Sequence, residues 1–229
     1  LLEDMFFEKY KKKVKIIHHP NKSVRPIYNL CKLNAKQVIK NYISKEDKYT
    51  FALNELGGLL GLKEINKIEG YDVSHISGDN AVASCVVFSK KGPSTRNYRL
   101  FNIPKNLSGN DIGSLEHVIA RRLKYYDNPK LKPDLILIDG GNSQLKFVNN
   151  IINNSDHSNI NVISIVKGSK RVRATETIIS KNGIIELDKY SKAYLLLQEI
   201  RDESHRFAIQ AQRKKKRNKI TKSELDKIK

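Results

Sequence analysis

The sequence predicts an α/β fold, a mixed sheet flanked by helices and preceded by a mostly helical segment, and three observations predict it. Up to about residue 65 the apolar residues recur at helical spacing. From Ile68 onward the pattern shifts to short blocks rich in small and β-branched residues. Two of those blocks, Ala81–Phe88 (AVASCVVF) and Leu135–Ile138 (LILI), are apolar nearly throughout, as expected of strands covered on both faces.

Residues 1–65 form a basic, mostly helical appendage in this reading. Leu2, Met5, Phe6 and Tyr10 define one helix, and a second runs from about Ala35 to Leu60. The polar connector His18-His19-Pro20-Asn21-Lys22 separates them, and Gly57-Gly58 and Gly61 punctuate the end. Three strands follow: Ile68–Ser74, Ala81–Phe88 and, beyond a Lys91-Gly92-Pro93 turn, the alternating Asn97–Ile103. Asp111–Tyr126 is a helix with the stripe Leu115, Val118, Ile119 and Leu123. The strand at Leu135–Ile138 stops at Asp139-Gly140-Gly141 and leads into a helix over Ser143–Ile152, then a strand over Asn161–Val166. Thr177–Ile179 and Ile184–Leu187 make a hairpin around Asn182-Gly183. A long helix over Ser191–Gln212 carries the stripe Leu197, Ile200, Ser204, Ala208 and Ala211, and the basic run Arg213–Lys219 follows. The domain of interest is thus expected over 66–217, with a basic tail over 218–229. This order suits a ribonuclease H-like fold and is equally compatible with other α/β sheets.

Charge narrows the function. Lys and Arg total 43 against 24 acidic residues, a formal net charge of +19. Such an excess favours a polyanionic partner through counterion release, although an AT-rich genome also inflates lysine. Cys31 and Cys85 are the two cysteines and form no ligand-like pair, which disfavours a disulfide framework or structural zinc and fits a reducing cytoplasm. Cys85 is expected in the core. No apolar run reaches the roughly 20 residues of a membrane span, and no signal peptide is visible. Leu1 is not an initiator methionine, so the chain is expected to be part of a longer protein.

Four residues could do chemistry. Asp139 ends a buried strand, where open α/β sheets place ligands and metals; it could equally be a turn residue or helix cap. Asp72 lies inside the first strand, where a charge is costly unless paired or bound to a cation; the alternative is a solvent-facing edge aspartate. Asp111 opens a helix, a position that aspartate commonly takes as a cap. His205 borders the apolar stripe of the last helix, one turn after Arg201, and could be an ordinary helical histidine. Together they form an oxygen-rich set with one imidazole, which suits Mg²⁺ or Mn²⁺ better than zinc. Carboxylates holding such ions activate water for phosphodiester cleavage, and a phosphodiester substrate also accounts for the charge. Lys167, Arg171 and Arg173 after the strand at 161–166 could grip phosphates, as could Arg206, Arg213 and Lys214, or all could be solvated basic surface. A dinucleotide site is disfavoured, since Gly140-Gly141-Asn142-Ser143 is not G-x-G-x-x-G.

The motifs resemble one family, the excinuclease subunit UvrC. They are GYDVSH (70–75), VASCVVF (82–88), the GP turn (92–93), YRLFNI (98–103), GND (109–111), PDLILIDGG (133–141), QL (144–145), KG (167–168) and IRDESHRFAI (200–209). Their order and spacing match over about residues 66–217. The resemblance implies a ribonuclease H-like domain of bacterial nucleotide excision repair that makes the 5′-side incision at a lesion. It carries the catalytic aspartates onto Asp72, Asp111 and Asp139 and the catalytic histidine onto His205, with Asp72 and Asp139 expected to hold the metal. It also implies damaged double-stranded DNA as substrate and UvrB, with UvrA upstream, as partners. Asn142-Ser143 stands where the family usually has Lys-Gly, and Asp188-Lys189-Tyr190 replaces a proline-rich approach to the last helix. Neither a GIY-YIG nuclease domain nor a tandem helix-hairpin-helix domain is found in these 229 residues, so the chain alone is expected to cut poorly. The competing expectation is a non-catalytic basic nucleic-acid-binding module, in which the aspartates are caps and turns.

Overall fold

The computed structural model of the chain describes residues 2–15, 21–74, 81–166 and 176–225. Two compact units divide it, residues 1–44 and residues 45–229. The first unit contains α1 (Leu2–Tyr10) and the start of α2 (Arg25–Leu60). The second contains the rest of α2 and all of the sheet.

The helix α2 begins ten residues before the expected start at Ala35 and runs through Gly57-Gly58 to Leu60. Tertiary packing explains why the two glycines fail to stop it. Ala52, Leu53 and Leu56 are almost completely buried, and such packing overrides a propensity cost of about 1 kcal/mol per glycine. Gly61 provides the stop, with a φ of +65°.

Among the described residues eight strands form one sheet: β1 (Lys67–Ser74), β2 (Val82–Ser89), β3 (Gly92–Pro93), β4 (Arg99–Asn102), β5 (Leu135–Asp139), β6 (Asn161–Val166), β7 (Thr177–Ser180) and β8 (Gly183–Ile185). The order across it is β3-β2-β1-β5-β6-β7-β8, and β4 also pairs with β2. The β1–β5 and β5–β6 pairs are parallel and the remaining pairs antiparallel, so the sheet is mixed as expected. The turn before β3 falls at Lys90-Lys91, and Gly92-Pro93 already pairs back onto Phe88 and Ser89. The third long strand is shorter than its alternation suggested, because a single 3-10 turn takes Thr95–Asn97.

Helices cover both faces. α3 (Asp111–Leu123) and α4 (Asn142–Asn153) pack against each other on one side, and α5 (Lys192–Leu225) covers the other. Gly70 shows how closely α5 approaches: a β-carbon there would lie 2.3 Å from a methyl carbon of Ile200. α3 stops at Leu123, short of the expected Tyr126, and Tyr126 turns back into the core. α5 does not end at Gln212. Its backbone stays helical through the basic run to Leu225, since Lys and Arg are good helix formers and no Gly or Pro interrupts them. Among the described residues no helix is long and apolar enough to cross a membrane.

Candidate active site

Alternation along β1 sorts its side chains between the two faces. Gly70 faces α5, so Ile68, Asp72 and Ser74 do too, while Glu69, Tyr71 and Val73 face α3 and α4. The parallel register with β5 matches Ile68 with Leu135 and Gly70 with Leu137, and its last pair is Tyr71 with Ile138. One residue further on each strand come Asp72 and Asp139. The two carboxylates therefore sit at the carboxyl ends of adjacent strands and on the same face, where strand spacing is about 4.8 Å. The Gly140-Gly141 pair after Asp139 lets the chain enter α4 tightly. A β-carbon on Gly140 would lie 2.9 Å from the Gln144 side chain, whose Oε1 accepts the Gly141 N–H at 2.5 Å.

α5 brings the imidazole. His205 Nδ1 lies 3.2 Å from Asp72 Oδ2, and the same oxygen accepts the Ser74 hydroxyl at 2.9 Å. Asp72 is buried, and about half of the His205 side chain is open to solvent. Two turns later Gln212, also buried, donates from Nε2 to the Ser74 carbonyl at 3.1 Å. α5 thus clasps the end of β1 at two points, with Ser84 adding a third bond from β2 to the Ser204 carbonyl at 2.8 Å.

Asp111 reaches the same end of the sheet by another route. β2 is antiparallel to β1 and starts opposite Ser74, and β4 runs back along β2 to end with Asn102 opposite Val82. Ile103 N–H then bonds to the Ala81 carbonyl, so the chain leaves the sheet at the level where β1 ends. Residues 104–110 lead from there into α3, whose cap Asn110 accepts the Gly113 N–H at 2.9 Å, and Asp111 opens its first turn. Asp111 is exposed. Among the described residues no three His, Cys, Asp or Glu side chains are gathered closely enough to hold a cation as a set. Asp72, Asp139 and His205 share one face, and Asp111 comes from the other.

The basic candidates fare differently. Lys167, Arg171 and Arg173 lie outside the described residues. Arg206 forks onto Glu203 at 2.6 and 2.7 Å, and this bond holds the Glu203 carboxyl below its usual range. Arg213 and Lys214 are exposed at the end of the clasp. Cys85 is fully buried as expected, and burial pushes its thiol well up.

A second polar cluster lies on the opposite face of β1. Glu69, with no exposed surface, accepts a fork from Arg122 of α3, with Nη2 to Oε1 at 2.6 Å. Tyr71 and Tyr126 each donate to its Oε2 at 2.6 Å. Burial opposes the charge on Arg122, and the bonds to Glu69 outweigh it, so the guanidinium stays protonated. Two signals could have revealed the cluster. Glu69 shares a buried strand face with Tyr71, and Arg122 continues the helical stripe of Leu115, Val118 and Ile119.

Residues 58–209 match the model of the UvrC RNase H endonuclease domain. A protein named UvrABC system protein C from Legionella pneumophila (strain Paris) is 37% identical over 198 residues, which is 85% of this chain and 32% of that protein. Its namesake from Actinobacillus succinogenes is 34% identical over 233 residues, covering 99% of this chain and 38% of that protein. The chain spans about a third of the length of these curated relatives. Among solved structures, the catalytic domain of human endonuclease V aligns with a TM-score of 0.39 and 13% identity over 67% of this chain and 85% of that one.

Proposed function

The chain belongs to the family of the UvrC RNase H endonuclease domain, and from that premise we propose that it hydrolyses a phosphodiester in one strand of damaged duplex DNA, on the 5′ side of the lesion, with Mg²⁺ or Mn²⁺ as cofactor. The observation that carries this reading is the register that sets Asp72 beside Asp139 at adjacent strand ends, with His205 bonded to Asp72.

The donor chemistry of Asp72 and Asp139 suits a hard divalent cation. Asp72 and Asp139 offer carboxylate oxygens from one face, and among the described residues the side-chain partners of Asp72 are a hydroxyl and an imidazole. Asp72 and Asp139 would hold the ion, and Asp111 would support the site from the α3 side. When bound, it supplies Lewis-acid activation of water and stabilises charge on the phosphoryl oxygens. His205 is oriented by Asp72 through Nδ1, which leaves Nε2 directed away from that bond to move a proton at the attacking water or the leaving oxygen. Arg213 and Lys214 would meet the backbone phosphates as point charges without reading sequence. Membership in the family also supports UvrB as the partner that delivers the lesion, with UvrA upstream, since the curated relatives are named for the UvrABC system.

The test is nicking of a lesion-bearing or nicked duplex, with UvrB added, in Mn²⁺, Mg²⁺ or EDTA. Wild type is expected to cut in Mn²⁺ or Mg²⁺ and not in EDTA, and Asp139→Ala to bind DNA without cutting. Metal-independent binding with no cutting by wild type would instead favour a non-catalytic binding module.

A further inference from the structure

The cluster around Glu69 takes no part in the chemistry just described, and an inference drawn from it deepens that reading and rests on it. Glu69 faces away from His205, is fully buried, and has both carboxylate oxygens bonded by Arg122, Tyr71 and Tyr126. Tyr71 and Tyr126 lie 3.2 Å apart through their hydroxyls, and the Arg122 guanidinium stacks over the Tyr126 ring at 5.4 Å. All four side chains are buried. What they join is informative: β1, which ends in Asp72, and α3, which starts at Asp111.

α3 starts at the catalytic end of the sheet, and its last turn reaches Glu69 through Arg122, so it runs antiparallel to β1. From Arg122 back to Asp111 the helix rises about 16 Å. From Glu69 to Asp72 the strand advances about 10 Å. The position of Asp111 relative to Asp72 therefore depends on where Arg122 meets β1. Apolar contact between a helix and a sheet is non-directional. A guanidinium fork on a carboxylate fixes both distance and direction.

We propose that Glu69 and Arg122, with Tyr71 and Tyr126, are positioning residues that lock α3 lengthwise against β1 and so hold Asp111 in place relative to Asp72. The competing role is a buried ion pair that merely fills the core. Replacing such a pair by apolar residues of similar volume commonly leaves stability unchanged or improved, and this separates the two roles.

The experiment uses the full chain with Glu69→Met, Arg122→Met, Tyr71→Phe and Tyr126→Phe combined, so that no hydroxyl is left without its acceptor. Thermal unfolding is expected at or above the wild-type midpoint. Amide exchange over Asp111–Val118 is expected to accelerate at least tenfold relative to β5. In the nicking assay with UvrB, kcat is expected to fall about tenfold or more, with KM for DNA unchanged and a higher Mn²⁺ concentration at half-maximal rate. Wild-type exchange and turnover in a variant of wild-type stability would overturn the proposal. The exchange arm needs no metal or partner. If wild type fails to cut but the exchange result is as expected, the nuclease reading falls and the positioning role stands. Should the combined variant not fold, Arg122→Lys keeps the charge and removes the fork. It is expected to accelerate exchange over the same residues, and wild-type exchange there would equally overturn the proposal.

Discussion

β1 carries two carboxylates three residues apart, and alternation sends them to opposite faces of the sheet. Glu69, near the start of the strand, has no exposed surface and is bonded by a guanidinium and two phenols. Asp72, near the end, is bonded by a hydroxyl and a half-exposed imidazole. A buried carboxylate needs a counter-charge, and an arginine that stays protonated supplies a permanent one. Both carboxylate oxygens of that site already accept bonds from these donors. At Asp72 the partner on α5 is an imidazole, and solvent reaches it. The same residue chemistry thus serves rigidity on one face of the strand and a solvent-reached carboxylate–imidazole pair on the other.

The largest expected effect breaks the buried half of this comparison. Arg122→Met strands the Glu69 carboxylate and should cost about 3–5 kcal/mol of stability, read by urea unfolding. A loss under 1 kcal/mol would contradict a buried carboxylate that depends on this partner. His205→Ala addresses the exposed half. Cutting should fall about 10²-fold with stability and DNA affinity nearly unchanged, as measured by single-turnover kinetics. A parallel loss of folding would make His205 structural.

Alkaline pH separates the two regions again. Burial pushes the hydroxyls of Tyr71 and Tyr126 well above their ordinary value. Groups raised in the folded state contribute stability that is intact below the unfolded tyrosine pKa of about 10 and lost as pH rises beyond it. Tyrosinate absorbance from these two should appear only together with loss of circular dichroism; ionisation without unfolding would contradict their burial. The smallest effect concerns surface charge. Arg213→Ala should lower the salt slope of DNA binding by about 1, while Arg206→Ala, already paired with Glu203, should change it less. Equal slopes for both variants would remove that distinction.

Much of this was legible in the sequence because it depends on local pattern. The strand at Asn161–Val166 matches its expected bounds, and the apolar LILI block ending at Asp139 forms β5 as read. Placing Asp72 on a strand and Asp139 at a strand end needed only period-2 alternation and a glycine pair. Three features depended on tertiary context. Gly57-Gly58 remain helical because Leu53 and Leu56 hold that turn in the core. Gly70 is required by the approach of Ile200, a partner 130 residues away that no local pattern reveals. The Glu69–Arg122 pair was visible as two separate anomalies, an acid on an apolar strand face and a base on an apolar helix stripe, but joining them required the fold. Which side of the sheet each aspartate occupies likewise follows from register and was not legible beforehand.

The most direct measurement is calorimetric titration of Mn²⁺ into the 229-residue chain, with Asp72→Asn and Asp139→Asn as separate variants of wild-type unfolding temperature. Wild type is expected to bind Mn²⁺, and each variant to lose about tenfold or more in affinity. Binding that is equal in all three chains, or absent from wild type even with DNA present, would contradict a cation site at the joined ends of β1 and β5.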